Sequence, residues 1–169
     1  LVSYSTSTNL KLEPASLNEF VEEIVELMGE EFETYMTSVK TELADENPPA
    51  FMSKNELQQA FLNLLFNALQ AMSIEGTLTI RTGTRVVEGL EAAEGSRTGA
   101  HVRNGEEAAF IEVEDTGPGI TAAELAKVFD PFFTSKATGT GHGKGLGLTV
   151  ARQLIELHGG AIQLENIEP

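Results

Sequence analysis

The chain contains no cysteine, which excludes disulfides, thiolate metal sites and cysteine nucleophiles. Positive charge is scarce: 11 Lys and Arg stand against 26 Asp and Glu, a formal net charge of -15. So acidic a surface repels nucleic-acid backbones and anionic membranes, and no nucleic-acid partner is expected. No apolar run is long enough to span a bilayer, and the N-terminus lacks a signal-peptide pattern. The expectation is a soluble segment, of a parent protein that could still be membrane-anchored. There are only three histidines, and no GxxxxGK followed by Ser or Thr. What is present is 169 residues with 41% hydrophobic content, enough for one domain with a real core.

Residues 1–15 are polar, with Pro14 as punctuation, and read as a linker or the tail of a preceding element. Three S/T-x-x-E capping boxes then open helices. Ser16 with Glu19 opens one running to about Tyr35, with Leu17, Phe20, Val21, Ile24, Val25 and Met28 at helical spacing. Ser53 with Glu56 opens a second, to about Met72, and Thr121 with Glu124 a third, to about Phe129. A fourth starts near Leu146 and stops at His158-Gly159-Gly160. Strands are expected at Ser38–Leu43, Thr77–Thr82, Phe110–Glu114 and Ala161–Glu165, with a long loop or frayed hairpin over Gly83–Ala109. This order predicts an α+β domain: a two-layer α/β sandwich with helices on one face of a mixed sheet.

So acidic a protein can hold a polyphosphate only by shielding it locally, with Mg²⁺, backbone N–H groups or a few placed cations. Four segments could contribute. In the second helix Asn63, Asn67 and Gln70 share one stripe; amide oxygens suit Mg²⁺, although a polar stripe is also what a solvated face looks like. Asp115 ends a strand before Thr116-Gly117-Pro118-Gly119-Ile120. Its carboxylate could accept from an exocyclic amine while the glycines admit a flat base, or the segment is an ordinary turn. Gly139 to Leu148 alternates five glycines before an apolar helix, a phosphate cradle at a helix N-terminus or a flexible linker. Phe129-Asp130-Pro131-Phe132-Phe133-Thr134-Ser135-Lys136 groups aromatics that need burial with Lys136, a candidate phosphate cation.

In order, these segments read NxLxNAxxA, DxGxGI, FxPFFTxK and GxGLGL. They resemble the N box, first glycine box, F box and second glycine box of the GHKL ATP-binding superfamily. Within it the chain is similar to sensor histidine kinase catalytic domains, above all the nitrogen-regulator type, over about residues 12–166. The resemblance implies a Bergerat-type fold with ATP under a lid. It implies that Asn67 binds Mg²⁺ with Asn63 in support, and that Asp115 accepts from the adenine amino group, with Gly117, Gly119 and Ile120 shaping the base pocket. Phe133, Thr134 and Lys136 belong to the lid, which runs from about Asp130 to Lys144. Gly143, Lys144, Gly145, Leu146, Gly147, Leu148 and Thr149 line the phosphates. Gln70 stands where many members carry Lys or Arg, which implies one phosphate cation fewer.

Related hydrolases place a Glu four residues before the Mg-binding Asn, as general base for water. Here that position is Asn63, which cannot take a proton at neutral pH. Glu56 lies eleven residues before Asn67, roughly 16 Å along the helix. The resemblance therefore implies transfer of the γ-phosphoryl group to a histidine on a separate domain, with slow hydrolysis. A GHKL-type ATPase and a non-catalytic nucleotide-binding or dimerisation module are the alternatives. His101, His142 and His158 lack an H-box setting, so the expected partners are the phosphoacceptor helical hairpin of the same kinase and a response regulator. On this reading residues 1–11 are a linker or remnant of that hairpin, and 12–169 are the catalytic domain without its last strand. That leaves an open strand edge suited to dimerisation by strand exchange. A cytoplasmic location is implied.

Overall fold

The computed structural model describes residues 10–90, 101–130, 133 and 147–167. Among these residues, strands and helices follow in the order β1 (Glu13–Ser16), α1 (Leu17–Leu27), α2 (Gly29–Thr34), β2 (Thr37–Glu42), β3 (Pro49–Met52), α3 (Lys54–Met72), β4 (Gly76–Val86), β5 (Glu107–Asp115), α4 (Ala122–Leu125) and α5 (Gly147–Leu157). The larger sheet has the order β2-β4-β5. β2 runs parallel to β4, and β4 antiparallel to β5. The mixed α+β sandwich expected from the sequence is present, with fold relatives reported below.

Period-2 patterning sets the two faces of the sheet. Leu78, Ile80 and Thr82 of β4 are buried, and Ile111 and Val113 of β5 pack on the same core. The helices supply its other layer: Phe20, Val21 and Ile24 from α1, and Phe61, Leu65 and Leu69 from α3. Thr82 is satisfied there by donating to Oδ1 of Asn18 (2.6 Å) and accepting from the Ala44 N–H (3.0 Å), so its hydroxyl is buried at little cost. The opposite face is charged. Arg81 contacts Glu42 (2.6 Å), Glu112 (3.1 Å) and Glu114 (2.5 Å), two of them its register partners on β2 and β5.

Several local expectations are corrected. The first helix does not run unbroken to Tyr35. Met28 leaves the helical region (φ -94, ψ 12) just before Gly29, because burying Met28 turns the chain and glycine gives the helix little support. The last three of residues 1–15, read as a linker, belong to β1, which pairs with β3 in a second, two-stranded sheet. Short strands rich in Pro and Ala carry no periodic signal. The Gly83–Ala109 loop is narrower than expected, since β4 continues to Val86 opposite Glu107. The third helix is only four residues long, followed by turns to Phe129.

Residues 161–167 form no strand. Side chains hold this segment instead: Gln163 Nε2 donates to the Glu88 carbonyl at 3.0 Å, and Asn166 binds Ile120. A strand requires a ladder partner, and the edge on which strand exchange was expected is not formed among the described residues.

Candidate functional site

α3 spans 19 residues and buries one face: Leu57, Ala60, Phe61, Leu65, Ala68, Leu69 and Met72. At about 100° per residue, Asn63, Asn67 and Gln70 fall on roughly the opposite side. Asn67 is exposed, and Asn63 and Gln70 are half-buried. Among the described residues the side-chain amides of Asn63 and Asn67 have no hydrogen-bond partner, so their oxygens are available to a hard cation or to water. α5 packs along α3.

The start of α3 differs from the capping box expected there. Ser53 caps without a side-chain bond to the helix. Its hydroxyl donates to the Glu56 carboxylate instead, and its backbone N–H, the usual target of the box glutamate, donates to Nε2 of His158 at 3.1 Å. The Ser53 hydroxyl holds the Glu56 carboxyl below its ordinary value, with its own backbone N–H and the nearby His158 acting in the same direction. Glu56 is thus tied to the cap of α3. The Ser16 cap forms with the Glu19 N–H at 3.1 Å, and Thr121 with Glu124 makes the complete reciprocal box.

The Asp115–Ile120 turn leaves the end of β5 and meets α3. Asp115 is exposed, and its Oδ1 accepts from the Gly117 N–H at 2.8 Å. Its second oxygen makes no hydrogen bond among the described residues and can accept from a ligand amine. A Cβ on Gly117 would lie 2.6 Å from Asp115 Oδ1 and 3.5 Å from Ala71 Cβ. The conflict is with the Asp115 carboxylate, which would have to shift, while Ala71 of the helix would be in ordinary contact. Gly119 has φ +74, and a Cβ there would meet Asn166 Oδ1 at 2.9 Å. Thr116 anchors the turn from beneath, its hydroxyl accepting from the Thr77 N–H at 2.9 Å.

These contacts give the site a direction. The turn touches α3 at Ala71, one turn beyond Asn67 and two beyond Asn63, a span of about 12 Å along the axis. A base against Gly117 would point its phosphates toward Asn67 and Asn63. The residues present therefore fit an adenine nucleotide with Mg²⁺: a glycine cradle that a Cβ would fill, an exposed carboxylate, and the Asn67 and Asn63 amide oxygens, which have no partner among the described residues.

The far wall is described in part. α5 begins at Gly147, where a Cβ would meet nothing within 4 Å. Leu148 is half-buried. The Thr149 hydroxyl donates to the Phe129 carbonyl at 3.0 Å, and Arg152 lies over the Phe129 ring at 5.2 Å. Thr149 thus binds the Phe129 backbone with its hydroxyl. Phe133 is half-buried, its N–H donating to the Asp130 carbonyl at 3.2 Å. Thr134, Lys136, Gly143, Lys144, Gly145 and Leu146 lie outside the described residues.

Reading the sequence missed two contributors. His158 stands out there only as part of a helix stop, and Asn166 follows what looks like a strand. Their roles come from contacts between residues 105 and 46 positions apart, which no local pattern encodes. Among the described residues no helix is long and apolar enough to cross a membrane, and no group of three or more His, Asp or Glu could hold a metal ion.

A family model described as histidine kinase-, DNA gyrase B-, and HSP90-like ATPase matches residues 52–169. The sensor histidine kinase ZraS of Escherichia coli is 31% identical over 161 residues, which cover 95% of this chain and 30% of that protein. The chain thus spans about a third of the length of this curated relative. Among solved structures, the nucleotide-free catalytic domain of histidine kinase ThkA superposes with a TM-score of 0.63 at 24% identity, covering 88% of this chain and 82% of that one. ThkA in complex with the response regulator TrrA gives a TM-score of 0.66 at 23% identity, over 93% of this chain and 38% of the other.

Proposed function

The chain belongs to the histidine kinase-, DNA gyrase B-, and HSP90-like ATPases, and from that membership we propose that it is the catalytic ATP-binding domain of a two-component sensor histidine kinase. It transfers the γ-phosphoryl group of Mg-ATP to a histidine on the helical-hairpin domain of the same kinase, from which a response regulator receives it. The observation that carries the reading is the meeting of the Asp115–Ile120 turn with α3 at Ala71. That contact supports reading the Asp115 carboxylate and the Asn67–Asn63 stripe as parts of one site.

Asp115 accepts from the adenine amino group through its outward oxygen, while its bond to the Gly117 N–H fixes the carboxylate. Gly117 and Gly119 let the base lie against backbone. Asn67 would hold Mg²⁺, with Asn63 one turn behind it. When bound there, Mg²⁺ would neutralise charge across the phosphates. The work left to the protein is positioning and electrostatic stabilisation. A carboxamide at position 63 cannot take a proton from water, which favours transfer over hydrolysis. Lys136 and the Gly143–Leu148 segment complete the proposal as phosphate contacts. The proposed location is the cytoplasm, where ATP is available.

Incubating the chain with Mg-ATP and a separately made acceptor-helix hairpin tests this. Phosphohistidine on the hairpin is the expected product. Phosphate released at a rate indifferent to the hairpin would mark a hydrolase, and neither product would mark a non-catalytic module.

A further inference from the structure

Asn166 lies beyond α5, in a segment with no regular structure, 46 residues from Ile120. Its side-chain amide nevertheless brackets the Ile120 backbone. Oδ1 accepts from the Ile120 N–H at 2.9 Å, and Nδ2 donates to the Ile120 carbonyl at 2.6 Å. This is the two-point pairing of a β-ladder made by one side chain. The same Oδ1 lies 2.9 Å from where a Cβ on Gly119 would stand, and Gly119 has the positive φ, +74, that glycine tolerates best. A side chain at Gly119 would push against the Asn166 amide.

The turn is consequently held at both ends. At its start Asp115 Oδ1 accepts from the Gly117 N–H; at its end the Asn166 amide holds Ile120. Thr116 pins the middle to β4 through the Thr77 N–H. Removing the Asn166 amide would leave the Gly117–Ile120 arc attached at one side only. Part of the cost of ordering it would then fall on ligand binding.

We propose that Asn166 is a positioning residue for base recognition: it sets the Asp115–Ile120 turn before the nucleotide arrives and so sharpens selection for a base with an exocyclic amine. The inference rests on the reading of Asp115 as the acceptor for that amine. It assigns the selectivity to a residue that does not touch the nucleotide, in a segment outside the four boxes.

The test compares ATP with purine riboside triphosphate, which lacks the 6-amino group and shares the phosphates. Both are titrated as Mg complexes into the wild-type chain, Asn166→Leu and Asn166→Asp. Leu removes both hydrogen bonds at similar volume. Asp keeps the acceptor and replaces the donor by an oxygen facing the Ile120 carbonyl, so it serves if Leu folds poorly. Wild type is expected to prefer ATP by about tenfold, the equivalent of about 1.4 kcal/mol. Either variant should bring that ratio close to one, chiefly by weakening ATP. A variant that binds both ligands more weakly but keeps the ratio has lost only general stability, and that result overturns the proposal, as does a variant indistinguishable from wild type. A wild-type chain with no preference for ATP overturns the Asp115 reading itself, and the proposal with it.

Discussion

The backbone N–H of Ser53 donates to Nε2 of His158 across 3.1 Å, so the residue that caps α3 is held by the residue that follows α5. Nδ1 of the same ring lies 2.7 Å from the Leu154 carbonyl. The start of the helix carrying Asn63 and Asn67 is thereby tied to the end of α5, away from the proposed nucleotide site.

Replacing His158 with Leu leaves the Ser53 N–H without its acceptor and the last turn of α5 without its side-chain bond. The loss expected is about 1–2 kcal/mol of unfolding free energy, read from urea midpoints at unchanged slope. A midpoint equal to wild type would show that the pin carries no stability.

Two glycines predict opposite outcomes for one substitution. A Cβ at Gly117 would meet Asp115 Oδ1 at 2.6 Å, whereas Gly29 has nothing within 4 Å. Gly117→Ala should disturb the Asp115 carboxylate and weaken ATP binding by about tenfold, the scale of one hydrogen bond. Gly29→Ala, at the start of α2, should leave binding unchanged and raise stability by about 0.5–1 kcal/mol. Equal ATP affinity in the two variants would remove the argument that the base turn needs glycine.

The α4 cap predicts a pH dependence. The Thr121 hydroxyl, then its backbone N–H, hold the Glu124 carboxyl below its ordinary 4.5. For a group depressed in the folded state, the stabilisation is complete above the unfolded value and is lost as the pH falls through the folded one. The stability difference between wild type and Thr121→Ala should therefore be constant near neutrality and narrow below about pH 4.5. Urea unfolding at a series of pH values measures it; a difference that widens on acidification would contradict the assignment.

What was legible in the sequence follows from period and punctuation. The 3.6-residue spacing of Leu57, Phe61, Leu65 and Leu69 and the alternation from Thr77 to Thr82 and from Phe110 to Glu114 put α3, β4 and β5 in their right places, and with α3 and the end of β5 the two sides of the candidate site. The Ser53–Glu56 pair satisfied the capping pattern, but a competing acceptor 105 residues away, His158, took the N–H. Ala161–Glu165 alternates like a strand, yet alternation records only which side chains face inward and cannot supply a neighbour for the ladder. Asn67, Asp115 and Gly117 were legible as chemistry because each sits within a short ordered motif. Asn166 was not, because its role depends on a contact made only after the chain folds back.

The residue at position 63 predicts turnover. With a carboxamide where related hydrolases carry a general base, the chain should release phosphate slowly from Mg-ATP. Asn63→Glu should raise release by about a hundredfold, the lower end of the usual contribution of general-base catalysis. Steady-state phosphate release measures both. Fast release by wild type, or no gain in the variant, would mean that position 63 does not decide between water and a protein acceptor.

The central claim is that the stripe on α3 holds Mg²⁺ against the phosphates of a nucleotide whose base rests on the Asp115 turn. Calorimetric titration with ATP, with Mg²⁺ and then with EDTA, in wild type and Asn67→Ala, tests it most directly. The account predicts one saturable site in wild type that Mg²⁺ tightens. In Asn67→Ala the affinity with Mg²⁺ should fall about tenfold or more, while the affinity in EDTA stays the same. Mg²⁺ tightening ATP equally in both proteins would contradict it.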